Sequence, residues 1–81
     1  MKKYVLFIKE ACPYCVMAVE LLEEKNLEYD TINVNGNVIL AQQVKNAFNW
    51  NTFPIVLEQE NDVSKLIGGF DSLEGIVIND G

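Results

Sequence analysis

Residues 4–15 read YVLFIKEACPYC and hold both cysteines of the chain, Cys12 and Cys15. The first five of these residues are apolar and rich in aromatic and β-branched side chains, which predicts a strand covered on both faces. Pro13 suits the first turn of a helix, and helical apolar spacing continues over residues 13–26. Two thiols three residues apart at a strand–helix junction can form a reversible dithiol/disulfide couple.

The composition limits the class of protein. A chain of 81 residues, 49% of them apolar, predicts one globular domain spanning residues 1–81. The net charge of −6 argues against non-specific binding to nucleic acid. Because the chain has no histidine and no arginine, a Cys–His nucleophilic pair, a histidine-ligated metal and an arginine clamp are excluded.

The number and spacing of the cysteines and the length of the apolar runs indicate the cellular compartment. No run approaches membrane-spanning length, and the amino-terminal apolar stretch is too short for a signal peptide. A single close pair of cysteines is no disulfide framework and suits a reducing compartment. We therefore expect a cytoplasmic protein without membrane contacts. No apolar stripe demands a dimer, so we expect a monomer.

The rest of the chain predicts three more strands and a second helix. Alternation over residues 28–34 indicates the second strand, with Tyr29, Ile32 and Val34 as its apolar set. Residues 54–57 and 63–67 are the third and fourth strands, joined by a polar hairpin loop over residues 58–62. The second helix shows one apolar face, formed by Leu40, Val44, Ala47 and Phe48.

A third, short helix is predicted after Gly68, because Asp71 and Glu74 have the spacing of a capping box. Gly75 and the β-branched residues 76–78 lower its propensity, so it should depend on tertiary packing. The first strand–helix–strand unit should form a right-handed crossover with parallel strands, and the hairpin should add antiparallel strands. The predicted fold is α/β in the order β-α-β-α-β-β-α, with a four-stranded mixed sheet flanked by helices on both faces.

The two cysteines are expected to play different roles. Cys12 lies just before the first helical turn, where unpaired N–H groups and the helix dipole favour a thiolate. Cys15 lies one turn in and is more enclosed, so it should keep its proton to higher pH. We therefore expect Cys12 to attack a disulfide and Cys15 to resolve the mixed disulfide.

Two other interpretations of the pair exist. Cys12 and Cys15 could be half of a zinc site, but the second pair of ligands is missing, so no metal is expected. They could also be inert core thiols or a structural disulfide, although so short a loop gains little stability from a cross-link.

Three motifs in order resemble the glutaredoxins of the dithiol type: CPYC at residues 12–15, TFP at 52–54 and GGFD at 68–71. The resemblance covers nearly the whole chain and is greatest to the compact glutaredoxins of phages and bacteria. It implies a thioredoxin-like fold and a glutathione-dependent thiol–disulfide oxidoreductase. The expected partners are glutathione, as co-substrate, and disulfide-containing proteins such as a ribonucleotide reductase.

The resemblance also implies which residues bind glutathione. A cis Pro54 would turn the main chain of Phe53 toward the bound thiol compound. The segment after Gly69 would receive the glutamyl end, and Lys9 the glycyl carboxylate. Trp50 is either part of an apolar rim or part of the core. The implied glutathione-binding residues are Lys9, Tyr14, Thr52, Phe53, Pro54, Gly69, Phe70 and Asp71.

Departures from the family pattern leave two other functions open. Ser72 replaces a common acidic residue, Glu10 adds a negative charge near the thiol, and no arginine supports Lys9. These features favour a thioredoxin-like reductant that is recharged by a flavoprotein reductase. A carrier of an iron–sulfur cluster, bridged by Cys12 and glutathione, is the other alternative, against which Pro13 and the second thiol argue.

Overall fold

The protein is described here by a computed structural model of residues 2–80, in which four strands and three helices form one mixed sheet with covering helices. This element order confirms the predicted fold class. The elements are β1 (Lys2–Ile8), α1 (Pro13–Glu24), β2 (Tyr29–Asn33), α2 (Val38–Phe48), β3 (Ile55–Glu60), β4 (Val63–Gly68) and α3 (Phe70–Asp80).

The sheet has the strand order β2-β1-β3-β4. β1 pairs in parallel with β2, with Tyr4 opposite Tyr29, and antiparallel with β3, with Leu6 opposite Val56. β3 and β4 form the antiparallel hairpin. The central position of β1 holds its carboxyl end, and therefore the cysteine segment that follows, in a fixed place.

The main core lies between the sheet and two helices on one face. Each of its side chains is at most 2% exposed, and burial of such a side chain stabilises by roughly 1.5–3 kcal/mol. On the other face, the Phe7 and Phe48 rings approach to 6.5 Å between centroids, so α2 covers that side. The core residues are Tyr4, Leu6, Ala18, Leu22, Val56, Leu73 and Val77.

Several predicted boundaries were wrong. α1 ends at Glu24 and not at residue 26, because Asn26 adopts φ 57 and reverses the chain. Ile32, assigned to the apolar set of β2, is 39% exposed because β2 is an edge strand. In α2 the predicted face is only partly covered, with Val44 buried and Ala47 exposed.

The hairpin is tighter than the predicted loop over residues 58–62. β3 continues through Glu60, and the turn consists of Asn61 and Asp62, with φ 54 and 66. Two consecutive positive φ angles are typical of the two-residue type I′ turn, which Asn and Asp tolerate. Polarity at Glu58 reflects salt bridges with lysines on the neighbouring strands and not a loop.

The third helix is longer than expected and starts earlier. It begins at Phe70, and the Leu73 N–H donates to the Gly69 carbonyl at 3.1 Å, so Gly69 occupies the cap and Asp71 lies inside the first turn. The capping-box assignment was therefore wrong. Burial of Leu73 and Val77 supplies the tertiary packing that the helix needs. None of the three described helices is long and apolar enough to cross a membrane.

Candidate active site

Cys12 is the N-cap of α1, in an extended conformation with φ −114 and ψ 101. Its Sγ accepts a hydrogen bond from the Cys15 N–H at 3.3 Å. The same Sγ lies 3.7 Å from the Phe53 carbonyl oxygen, to which the thiol donates. Cys12 therefore lies where the start of α1 meets the segment before β3, and it is partly accessible.

Cys15 lies one helical turn away and is buried, whereas Cys12 is partly accessible. Its side chain is 2% exposed, and both cysteines are free thiols. Burial raises the pKa of the Cys15 thiol to about 12, and the hydrogen bond with the Cys12 side chain adds to the rise. A hydrogen bond with the Lys9 backbone and the positive charge of Lys9 both lower the pKa of the Cys15 thiol, but by less. The direction of this pKa shift agrees with the expectation that Cys15 keeps its proton to higher pH.

The peptide bond between Phe53 and Pro54 is cis, as the resemblance implied. Pro54 is buried at the entrance to β3, and Phe53 is half-buried beside it. The segment over residues 52–54 thus adjoins the Cys12 sulfur.

A cleft of about 430 Å³ adjoins this segment, and we call it the aromatic cleft. Two of its rings, Tyr14 and Phe70, lie 6.1 Å apart between centroids. Every residue predicted to bind glutathione lines the cleft except Lys9. Among the lining residues that the structure describes, Asp71 carries the only charged side chain. The cleft is lined by Tyr14, Trp50, Thr52, Phe53, Pro54, Gly69, Phe70, Asp71 and Ser72.

The two glycines of the last motif have different roles. Gly68 adopts φ 127, and a Cβ there would lie 2.8 Å from Ser72 Oγ and 3.2 Å from the Trp50 ring. Both this positive φ and the close contacts with Ser72 and Trp50 favour glycine at residue 68. A Cβ on Gly69 would meet its neighbours at an ordinary 3.8 Å.

Trp50 is both a wall of the aromatic cleft and part of the packing behind it. Its ring lies next to Gly68 and Gly69, at the positions that a Cβ on either residue would approach. Its Nε1 is buried and has no hydrogen-bond partner among residues 2–80. The sequence left the choice between rim and core open, and the structure places Trp50 in both.

Two lysines meet at Phe53. Lys9 Nζ lies 5.4 Å from the centroid of the Phe53 ring, and Lys45 Nζ lies 5.5 Å from it. Sequence analysis identified Lys9 but missed Lys45, which comes from the last turn of α2. No local pattern could reveal it, because only the packing of α2 brings residue 45 next to residue 53.

No further ligands support the zinc interpretation in the described part of the chain. Among residues 2–80, no three His, Cys, Asp or Glu side chains are grouped as metal ligands would be.

Comparison with known proteins identifies the family. The glutaredoxin family model matches residues 4–60. A probable glutaredoxin of Acanthamoeba polyphaga mimivirus is 33% identical in a match that covers 86% of this chain and 73% of the viral protein.

Solved structures share the fold. The buckwheat glutaredoxin–glutathione complex matches with a TM-score of 0.75 and 22% identity, over 98% of this chain and 71% of the buckwheat chain. Glutaredoxin 1 from Francisella tularensis, complexed with cacodylate, matches with a TM-score of 0.73 and 20% identity, over 99% of this chain and 96% of that chain. Two free thiols lie at the start of α1, and both the family model and the viral relative match this chain. The chain therefore belongs to the glutaredoxin family and is a thiol–disulfide oxidoreductase of thioredoxin-like fold.

Proposed function

We propose that this protein reduces disulfides by a dithiol mechanism and receives its electrons from glutathione. One observation carries the proposal: the Cys12 sulfur is at the N-cap of α1 with a donated N–H at 3.3 Å, while Cys15 is enclosed one turn away. An N–H aimed at a sulfur favours the anionic nucleophile, and a second thiol within one turn is placed to displace the product.

The first half of the cycle reduces the substrate. The Cys12 thiolate attacks one sulfur of the substrate disulfide, the S–S bond breaks, and the departing sulfur takes a proton. Cys15 then loses its proton and attacks the Cys12 sulfur in the mixed disulfide. The second substrate sulfur leaves as a thiol, and Cys12 and Cys15 become a disulfide.

The second half restores the dithiol. A glutathione thiolate attacks the Cys12 sulfur, which frees Cys15 as a thiol and leaves glutathione on Cys12. A second glutathione attacks the sulfur of the first, which releases oxidised glutathione and the Cys12 thiolate. Two electrons thus pass from two glutathione molecules to one substrate disulfide. A substrate that is itself a glutathione mixed disulfide needs Cys12 alone.

The aromatic cleft supports glutathione as the ligand. Asp71 offers a carboxylate for the glutamyl amine, and the first N–H groups of α3 suit the glutamyl carboxylate. The Phe53 main chain, 3.7 Å from Cys12 Sγ, can pair with the cysteinyl backbone. Lys9, over the Phe53 ring, is the cation for the glycyl carboxylate. The buckwheat relative was solved as a complex with glutathione.

We also propose the finer features that the family resemblance implies. The chain acts as one domain and as a cytoplasmic monomer, and its protein substrates include a ribonucleotide reductase. Two closely spaced free thiols suit a reducing compartment, where such a pair can cycle.

A turnover assay on a small disulfide tests the proposal. The protein is supplied first with glutathione and its reductase, and then with a thioredoxin reductase. We expect turnover with the first system. Turnover only with the second would favour the thioredoxin-like alternative, and an iron–sulfur absorption band in freshly purified protein would favour the cluster carrier.

A further inference from the structure

A second cavity also reaches the Phe53 region, and two lysines line it. It is a groove of about 330 Å³ between Lys9 and α2, which we call the two-lysine groove. Residues 34–37, before α2, close one side. The α2 wall has the spacing i, i+3, i+4 and i+7, which places its side chains on one helix face. These side chains are Val38, Ala41, Gln42 and Lys45.

The two lysines of this groove are free of acidic partners in the described structure. Lys9 and Lys45 both lie over the Phe53 ring, which attracts cations through its π face. Among the side chains of residues 2–79, no salt bridge engages either of them, although the chain has a net charge of −6. Three other lysines do have acidic partners: Lys2 and Lys65 pair with Glu58, and Lys3 pairs with Asp30.

The groove also has an exposed apolar side chain on its α2 wall. Val38 lines the groove and is 81% exposed. A β-branched side chain so exposed contributes little to the core, and it gives the groove surface an apolar margin. The groove therefore combines two unpaired positive charges with an apolar margin.

Phe53 connects this groove to the reaction centre. Its carbonyl oxygen lies 3.7 Å from Cys12 Sγ, while its ring contacts both ammonium groups. Each residue of an extended chain spans about 3.3–3.6 Å. A polypeptide joined to Cys12 through one of its cysteines can thus reach the lysines within a few residues.

We propose that the two-lysine groove is a docking surface for protein substrates, and that it binds a segment with an acidic and an apolar residue next to the reactive cysteine. The proposal rests on the proposed function and extends it to the class of protein substrate. Charge complementarity selects the acidic residue, and Val38 selects the apolar one. Glutathione can satisfy Lys9 but offers no apolar side chain to this margin.

The test uses short peptides with an internal disulfide as substrates, and glutathione with its reductase as electron source. One peptide carries Glu–Leu after its first cysteine, a second Gln–Leu, and a third Glu–Ser. We expect kcat/KM for Glu–Leu to exceed that for the other two by about fivefold, mainly through KM, and the preference over Gln–Leu to shrink at about 0.5 M salt.

Substitutions test which side chains of the protein cause the preference for the Glu–Leu peptide. Lys45→Gln should remove the advantage of Glu–Leu over Gln–Leu, Lys45→Arg should retain it, and Val38→Ser should remove the advantage over Glu–Ser. Lys25→Gln is the matched control, because it removes the same charge from the far end of α1, where Lys25 is the exposed C-cap. It should leave all three substrate ratios unchanged.

Different failures overturn different statements. If wild-type protein reduces none of the three peptides with glutathione and its reductase, the proposed function itself is wrong. If it reduces all three peptides equally, or if Lys45→Gln and Lys25→Gln change the ratios alike, only the docking surface is wrong.

Discussion

The first turn of α1 holds two neighbouring cysteines, of which Cys12 at the N-cap is partly accessible and Cys15 is buried. Cys12 receives an N–H at 3.3 Å and faces the Phe53 carbonyl. Cys15 is 2% exposed, and burial raises the pKa of its thiol to about 12. The same residue type, three positions apart, thus meets opposite conditions. The motif sets only the spacing, whereas exposure and hydrogen bonds set the roles.

The largest expected effect distinguishes the two thiols by substitution. Cys12→Ser should lower turnover of a small glutathione mixed disulfide by about a thousandfold or more, because the nucleophile is lost. Cys15→Ser should keep that activity but lose reduction of protein disulfides. Steady-state assays on both substrates measure the difference. Loss of both activities in Cys15→Ser would contradict the assignment of roles.

The second effect is a difference in alkylation rate. At neutral pH, we expect iodoacetamide to modify Cys12 at least about tenfold faster than Cys15, because only Cys12 is accessible and receives an N–H. Mass spectrometry of digested samples follows each cysteine over time. Unfolded protein is the control, in which the two rates should converge. Equal alkylation rates in the folded protein would contradict the distinction between Cys12 and Cys15.

The third effect is on stability at alkaline pH. The pKa of Cys15 is raised in the folded state, to about 12 from an ordinary value of 9.0. The stability that this contributes is fully present below about pH 9 and is lost as the pH rises toward 12. The urea midpoint of the reduced protein should therefore fall over this range more steeply than that of Cys15→Ala. The Cys15→Ala protein keeps every other ionisable group, so the difference between the two curves isolates the contribution of Cys15. Parallel curves would contradict the prediction.

The smallest effect concerns the environment of Cys15. Because the positive charge of Lys9 lowers the pKa of Cys15, Lys9→Gln should raise that pKa further. The pH profile of alkylation, measured in a Cys12→Ser background with one remaining thiol, detects the change. Lys25→Gln is the control, since Lys25 is the C-cap of α1 and lies about 15 Å along the helix axis from Cys15. A shift toward lower pH in Lys9→Gln would show that Lys9 does not act on Cys15 through its charge.

Much of the fold could be predicted because its signals are local. The apolar run of β1, the proline at the start of α1 and the alternation after it are each contained in a short window, and all four strands were found. The errors arose where polar residues are compatible with two structures. Glu58 lies in β3 and not in a loop, since lysines on both neighbouring strands pair with it. Composition alone cannot reveal such cross-strand partners.

The candidate site likewise contains residues that the sequence motifs predicted and residues that they did not. Seven of the nine residues that line the aromatic cleft were predicted as glutathione-binding residues, because they lie in or beside the three motifs that carry the family resemblance. Lys45 was missed because its partner is eight positions away and on another element. Asp71 was found as a site residue but misplaced as a cap, because the helix start depends on how Leu73 packs.

Trp50 is the single tryptophan of the chain, and its indole forms a wall of the aromatic cleft. Indole fluorescence responds to polarity and to nearby quenching groups. Because no other tryptophan contributes background, a ligand that enters this cleft should change the whole tryptophan emission of the molecule. Occupancy can therefore be titrated optically, in unlabelled protein and without turnover.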